Sequence, residues 1–200
     1  MAHDGQMLTA TPVLSNLLQL TGEAVAPVEA LLEKAKTRVR DMVSDSGRVS
    51  GKLLEQHQTA AHGLAWLATY TESLRQMQGW AERLDAEGKF GEMDQLIHQI
   101  AFGEYLWQIY GGIPMSQHEL LRPQDLGLTQ DDQRAMMAPA VMTLTQEGNT
   151  QAARMRLVEL MKGNAGHATF GASGLDEELE MIRDQFRRYA DEKVVPNAHD

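Results

Sequence analysis

The residues that could do chemistry are few and badly placed for it. His57 and His62 stand five apart, whereas two imidazoles on one helix face need a spacing of four. Asp94 and His98 do have that spacing, which fits a helix-surface pair or the start of a metal site. His118-Glu119, His167 and His199 fall in turns or near the end of the chain. No Glu-x-x-His pair of the carboxylate di-metal kind faces inward, and no Ser-His-Asp set or carboxylate pair has a recognisable context. There is no cysteine, which removes disulfides, thiolate zinc sites and a thiol nucleophile. The glycine-rich run 163–174 (GNAGHATFGASG) resembles a phosphate cradle only in composition. A helix precedes it instead of a strand, and no Lys-Ser/Thr pair closes it, so it is a linker. Trp66, Tyr70, Trp80, Tyr105, Trp107 and Tyr110 could line an aromatic pocket, but at helical spacing they are packing or interface anchors. Met136, Met137 and Met142 are core filling by the same reasoning, with an adaptable partner surface as the alternative. The expectation is that no residue of this chain is catalytic, cofactor-binding or metal-ligating.

Composition narrows the partners. Lys plus Arg number 18 against 28 Asp plus Glu, a formal net charge of −10. Such a surface repels phosphate backbones and anionic lipid, so neither nucleic acid nor a membrane is expected as partner. No run of about 18 apolar residues occurs and no secretion signal opens the chain, consistent with a cytoplasmic protein.

The elements that must position these residues are helices. From Lys52 to Leu84, Leu53, His57, Ala61, Leu64, Leu67, Thr71, Leu74, Met77, Ala81 and Leu84 recur at steps of three and four. This predicts one long helix over about 50–86, a rod of about nine turns and roughly 50 Å. Before it, after a loose tail from Met1 to Ala10, Thr11-Pro12 opens a short helix that Thr21-Gly22 interrupts. A second helix runs to Val43 with Pro27 in its first turn, since proline deeper inside breaks a helix. Ser44 to Gly47 is a turn. After the rod, Glu92–Tyr110 is helical and stops at Gly111-Gly112-Ile113-Pro114. Ser116-Gln-His-Glu119 has capping-box form and predicts a short helix before Pro123, and Thr129-Gln-Asp-Asp132 predicts a longer one kinked near Met136 by Pro139. Residues 151–162 are amphipathic. Ser173 to Asp176 caps a last helix with Leu179, Ile182, Phe186, Ala190 and Val194 on one face. The fold class is all-α: a helical bundle over 1–162, a Gly-rich linker over 163–174, and an amphipathic helix over 175–200. No strand pattern is evident.

The last segment, LDEELEMIRDQFRRYADEKVVPNAHD, resembles the opening helix of the acyl-CoA dehydrogenase family. Phe186, Ala190, Glu192, Val194, Val195, Pro196 and Ala198 match the family's pattern there. The stretch His57–Ile113 is similar, more weakly, to the C-terminal helical bundle of some members. A bundle placed before the first family helix resembles the subgroup that dehydrogenates a short branched acyl-CoA such as methylsuccinyl-CoA. The resemblance implies a parent protein that is an FAD-dependent flavoprotein and homo-oligomer. In such enzymes a carboxylate removes the α-proton of an acyl-CoA thioester while the flavin accepts the β-hydride. It also implies that the FAD-contacting segments and catalytic glutamate lie downstream of Asp200, leaving these 200 residues inactive alone and serving packing or oligomer assembly. The alternative is a stand-alone helical oligomerisation or protein-interaction module.

Overall fold

The computed structural model describes residues 12–163 and 171–198. The chain is all-α apart from two ladders of two residues per strand. Helix α1 (Leu17–Val43) buries Leu17, Thr21, Ala24, Val28, Leu31, Ala35, Val39 and Val43, a stripe at steps of three and four. A two-residue hairpin joins β1 (Ser44–Asp45) to β2 (Arg48–Val49), with Ser46 at φ 51° and Gly47 at φ 78° as its turn. Both turn residues at positive φ suit the right-handed twist of a tight hairpin. The short α2 (Gly51–Gln56) and the rod α3 (Gln58–Ala86) follow.

Four expectations are corrected here. The rod starts at Gln58, not near residue 50, because His57 (φ −113°, ψ 33°) breaks it from α2. No residue of α2 is buried, so burial does not fix it in line with α3. The remaining 29 residues span roughly 43 Å at 1.5 Å per residue. Second, α1 is a single helix. The Thr21 hydroxyl is satisfied by the Leu17 carbonyl at 3.0 Å, so Thr21-Gly22 interrupts nothing. Third, Pro27 lies inside α1 instead of in a first turn. The carbonyl it leaves without a donor belongs to Glu23, an exposed residue, so the lost bond falls on the outer side of α1. Thr11 lies outside the described residues, and Pro12–Asn16 is not helical. Fourth, Ser116 to Glu119 forms the bend of a second hairpin, β3 (Ile113–Pro114) with β4 (Leu120–Leu121). Ile113 and Leu121 pair and are both buried, a tertiary gain that overrides the local capping signal.

Most other boundaries agree with the sequence; the single kinked helix expected from Thr129 is instead broken at Met137-Ala138 into two, because Pro139 opens a new helix. The rod ends in a Schellman turn at Gly88 (φ 66°), where the Lys89 N–H reaches the Leu84 carbonyl at 2.8 Å. Helix α4 (Glu92–Gly111) runs antiparallel to α3, as Trp80 beside His98 and Tyr70 beside Tyr105 show. After a 3-10 turn at Pro123–Leu126, α5 (Gln130–Met136) is capped by Thr129 and stops before Pro139, which opens α6 (Pro139–Thr143). A π-helical turn, Leu144–Gly148, leads to α7 (Gln151–Lys162), capped by Thr150. Helix α8 (Glu177–Tyr189) begins at the Asp176 cap and continues through further helical turns to Asn197.

Helices α1, α3 and α4 form the centre, with α5–α7 against its flank. Leu31, Leu67, Leu74, Phe102, Leu106 and Leu144 are fully or almost fully buried there. Gly103 lets α4 approach the π-helical turn: a Cβ at that position would stand 2.8 Å from the Leu144 carbonyl oxygen. The side chain of Gln99 ties three segments, donating to the Pro12 and Gly148 carbonyls at 3.0 Å each and accepting the Leu14 N–H at 2.7 Å.

Candidate interaction surface

The polar groups singled out from the sequence do not converge. His57, His62 and His118 are exposed, and His167 and His199 lie outside the described residues. The His62 Nε2 accepts the Trp66 indole N–H at 3.0 Å, an arrangement within one helix. Among the described residues, no three His, Asp or Glu side chains are grouped closely enough to hold a metal ion. Asp94 and His98 share a helix but face different partners. Asp94 accepts the N–H groups of Gly91 (3.2 Å) and Ala172 (2.7 Å), whereas His98 is fully buried with Nε2 3.0 Å from the Thr21 hydroxyl.

His98 is packed among Phe90, Phe102 and Trp80. Burial lowers its pKa to about 4, so the ring is neutral at pH 7. Burial, followed by the nearby Tyr105 and Glu104, raises the pKa of the Tyr70 phenol, which donates to Gln108 at 2.6 Å. These are features of a packed core and its margin. The aromatic set divides likewise: Tyr70 stacks on Tyr105 at 4.6 Å, and Trp80 meets Phe90 edge-on at 6.1 Å. Trp107, expected as a packing or interface anchor, is not buried in the bundle. It is 46% exposed and donates to the Thr145 carbonyl at 2.6 Å. Of the methionines, Met136 is buried and Met142 exposed.

What stands out is α8. Leu175, Leu179, Ile182, Phe186 and Val194 recur at helical steps and all are exposed, with Phe186 at 72%. Met181 and Tyr189 widen the stripe. Glu177, Glu178 and Glu180 occupy the first turn and Arg187 and Arg188 the last, the arrangement that favours the helix dipole. The helix is therefore well capped and well charged, and its apolar face is uncovered. Burying one such large side chain contributes roughly 1.5–3 kcal/mol, so a stripe this long on an uncovered helix is a candidate interaction surface. The sequence period located this face. The role of Asp94 and Trp80 in receiving residue 172 was beyond it, since only the acid in the first turn of α4 left a local sign.

No family profile matches the chain. It is 60% identical over 192 residues, 96% of its length, to (2S)-methylsuccinyl-CoA dehydrogenase of Cereibacter sphaeroides. The chain is a relative of part of that dehydrogenase. It spans 34% of the dehydrogenase's length. The similarity bears out the resemblance to an acyl-CoA dehydrogenase that residues 175–200 carry, and extends it over nearly all of the chain. Among the described residues, no helix is long and apolar enough to cross a membrane.

Proposed function

We propose that the chain is the N-terminal helical segment of an FAD-dependent acyl-CoA dehydrogenase acting on a short branched acyl-CoA such as (2S)-methylsuccinyl-CoA. Residues 1–162 are an added bundle serving packing or oligomer assembly, 163–174 the connection, and 175–200 the first helix of the enzyme's N-terminal α-domain. The enzyme is a cytoplasmic homo-oligomer. The observation that carries this reading is the 60% identity over nearly the whole chain. The uncovered stripe of α8 supports it, because a helix that opens a further domain needs that domain to cover it.

The large cleft beside α8 is a poor fit for a flavin. The cleft between α8 and the bundle is lined by the backbone of 171–174 and by charges of both signs, among them Lys89, Glu177, Glu180 and Arg183. Its apolar lining, Leu84, Leu175 and Met181, is interrupted by these charges, a poor match for the flat apolar slot an isoalloxazine ring needs. No step of the reaction is therefore assigned to this chain, and flavin and acyl-CoA belong to the other parts of the longer protein.

The test is expression of the longer protein with and without residues 12–162, followed by flavin absorbance and dehydrogenation of (2S)-methylsuccinyl-CoA with an artificial electron acceptor. The reading requires bound flavin and turnover in the longer protein. A longer protein that binds no flavin overturns it. A self-contained interaction module is the second reading, favoured by the exposed Met155 and Val158 on the outer face of α7. It requires the 200-residue chain to self-associate in sedimentation at micromolar concentration, and a monomer there removes it.

A further inference from the structure

The bundle holds Ala172 at both of its backbone polar groups. Its N–H donates to Asp94 Oδ1 at 2.7 Å, and its carbonyl accepts the Trp80 indole N–H at 3.2 Å. Asp94 is 6% exposed, and its other oxygen accepts the Gly91 N–H at 3.2 Å, so the carboxylate is fixed as the cap of α4 before it takes residue 172. Trp80 is fixed as well, edge-on to Phe90 and tilted against His98.

The chain on either side of Ala172 is shaped to this seat. Gly171 has φ +79°, and a Cβ there would stand 2.5 Å from Asp94 Oδ1. Gly174 has φ +68°, and a Cβ there would stand 2.8 Å from Trp80 Cδ1. Each position needs glycine for two reasons, the left-handed backbone and the close approach. The Ser173 hydroxyl donates to the Glu180 carboxylate and accepts the Leu175 N–H, linking the seated residues to the start of α8.

We propose that Gly171–Gly174 is a docked strap, clamped by Asp94 and Trp80, that fixes the direction in which α8 leaves the bundle. The glycines then serve close seating, not free rotation. Whatever covers the stripe of α8 meets helix and bundle as one unit; in the dehydrogenase reading, that is the following domain. The clamp itself does not depend on that reading, and the absence of flavin in the longer protein would leave it intact.

The experiment is hydrogen exchange of the Ala172 amide by NMR in the 200-residue chain, with Gly171→Ala and Trp80→Phe as variants. Spin labels at Gln76 and Gln185, both exposed, report the distance between α3 and α8. In the native chain the Ala172 amide is protected and the distance distribution is narrow. Trp80→Phe removes one hydrogen bond and lowers the protection about tenfold. Gly171→Ala abolishes it and broadens the distances, while the amides of Phe102 and Leu106 keep their protection. An Ala172 amide that exchanges at the free-peptide rate in the native chain overturns the proposal. So does protection that survives both substitutions, or protection lost on dilution, which would mean docking onto a second copy. If Gly171→Ala fails to fold, Trp80→Phe decides alone.

Discussion

The Nε2 atom of His98 lies 3.0 Å from the hydroxyl of Thr21, where α4 meets α1 in the centre of the bundle. With the Thr21 proton directed at the Leu17 carbonyl at 3.0 Å, the hydroxyl accepts from Nε2–H, which is the tautomer this network favours. The other ring nitrogen, Nδ1, is buried without a hydrogen-bond partner. Charging this ring would place a new N–H and a positive charge among Phe90, Phe102 and Trp80.

The pH dependence follows from the sign of that shift. The folded pKa, about 4, is below the ordinary histidine value of 6.5, so the unfolded chain binds the proton more readily. Stability from this group is complete above pH 6.5 and falls as pH drops toward 4, by about 3 kcal/mol over the whole range. Urea denaturation as a function of pH will show this slope. His98→Phe, which keeps a ring of similar size in an aromatic setting, should flatten it with little loss at pH 7. A slope unchanged by His98→Phe would place the proton uptake elsewhere.

Asp132 gives the second acid-sensitive contact. The Lys34 ammonium at 2.8 Å, then the Thr129 N–H and hydroxyl, hold its carboxyl well below the usual aspartate range. Its contribution is present above the unfolded carboxylate pKa and is lost as pH falls below it. At neutral pH, Thr129→Ala removes the cap of α5 and should cost about 1 kcal/mol in chemical denaturation. A cost near zero would mean that α5 is held by packing alone.

Trp107 tests the difference between a core anchor and a surface clasp. Because its ring is half exposed and its chief bond is to the Thr145 carbonyl, Trp107→Phe should cost about 0.5–1.5 kcal/mol, the net value of one hydrogen bond. Trp107→Ala should remain below the roughly 3–5 kcal/mol of a buried tryptophan. A loss within that larger range would show that the indole is covered in solution.

Gly103→Ala should be destabilising although alanine is the better helix former. The added methyl meets the backbone of Leu144 and Asn149 at 2.8 and 2.9 Å, and backbone cannot turn aside as a side-chain tip can. Overpacking of this kind costs about 1–3 kcal/mol, against roughly 1 kcal/mol gained from helix propensity. Thermal melting decides the sign; a raised midpoint would mean that α4 and the π-helical turn can separate.

The second half of the rod was largely legible because packing sets it: Leu67, Thr71, Leu74, Ala81 and Leu84 are buried as their period requires, while Gln78 takes the place expected for Met77. Its first half was not. The buried face there runs through Ala60 and Gly63, one residue off the predicted line, after the break at His57. The stripe of α8 was equally plain, since period and caps are local properties. Thr21-Gly22 misled because the marks of a helix stop are also those of a close crossing: a Cβ on Gly22 would lie 3.2 Å from the Gln78 amide of α3. Nothing local announces the hairpin at 113–121 or the seat of Ala172. Each depends on a partner distant in sequence or on the gain from burying Ile113 with Leu121.

The seam closed by Gln99 has a consequence for the order of assembly. One amide joins residues separated by 85, 87 and 49 positions, so it cannot form until three remote stretches have converged. The pairs α1–α3 and α3–α4 need only short connections and come together early, by the entropy of loop closure. The seam is therefore expected to close after those pairs, and a Leu14 amide that exchanges more slowly than those of Leu74 and Leu106 would count against that order.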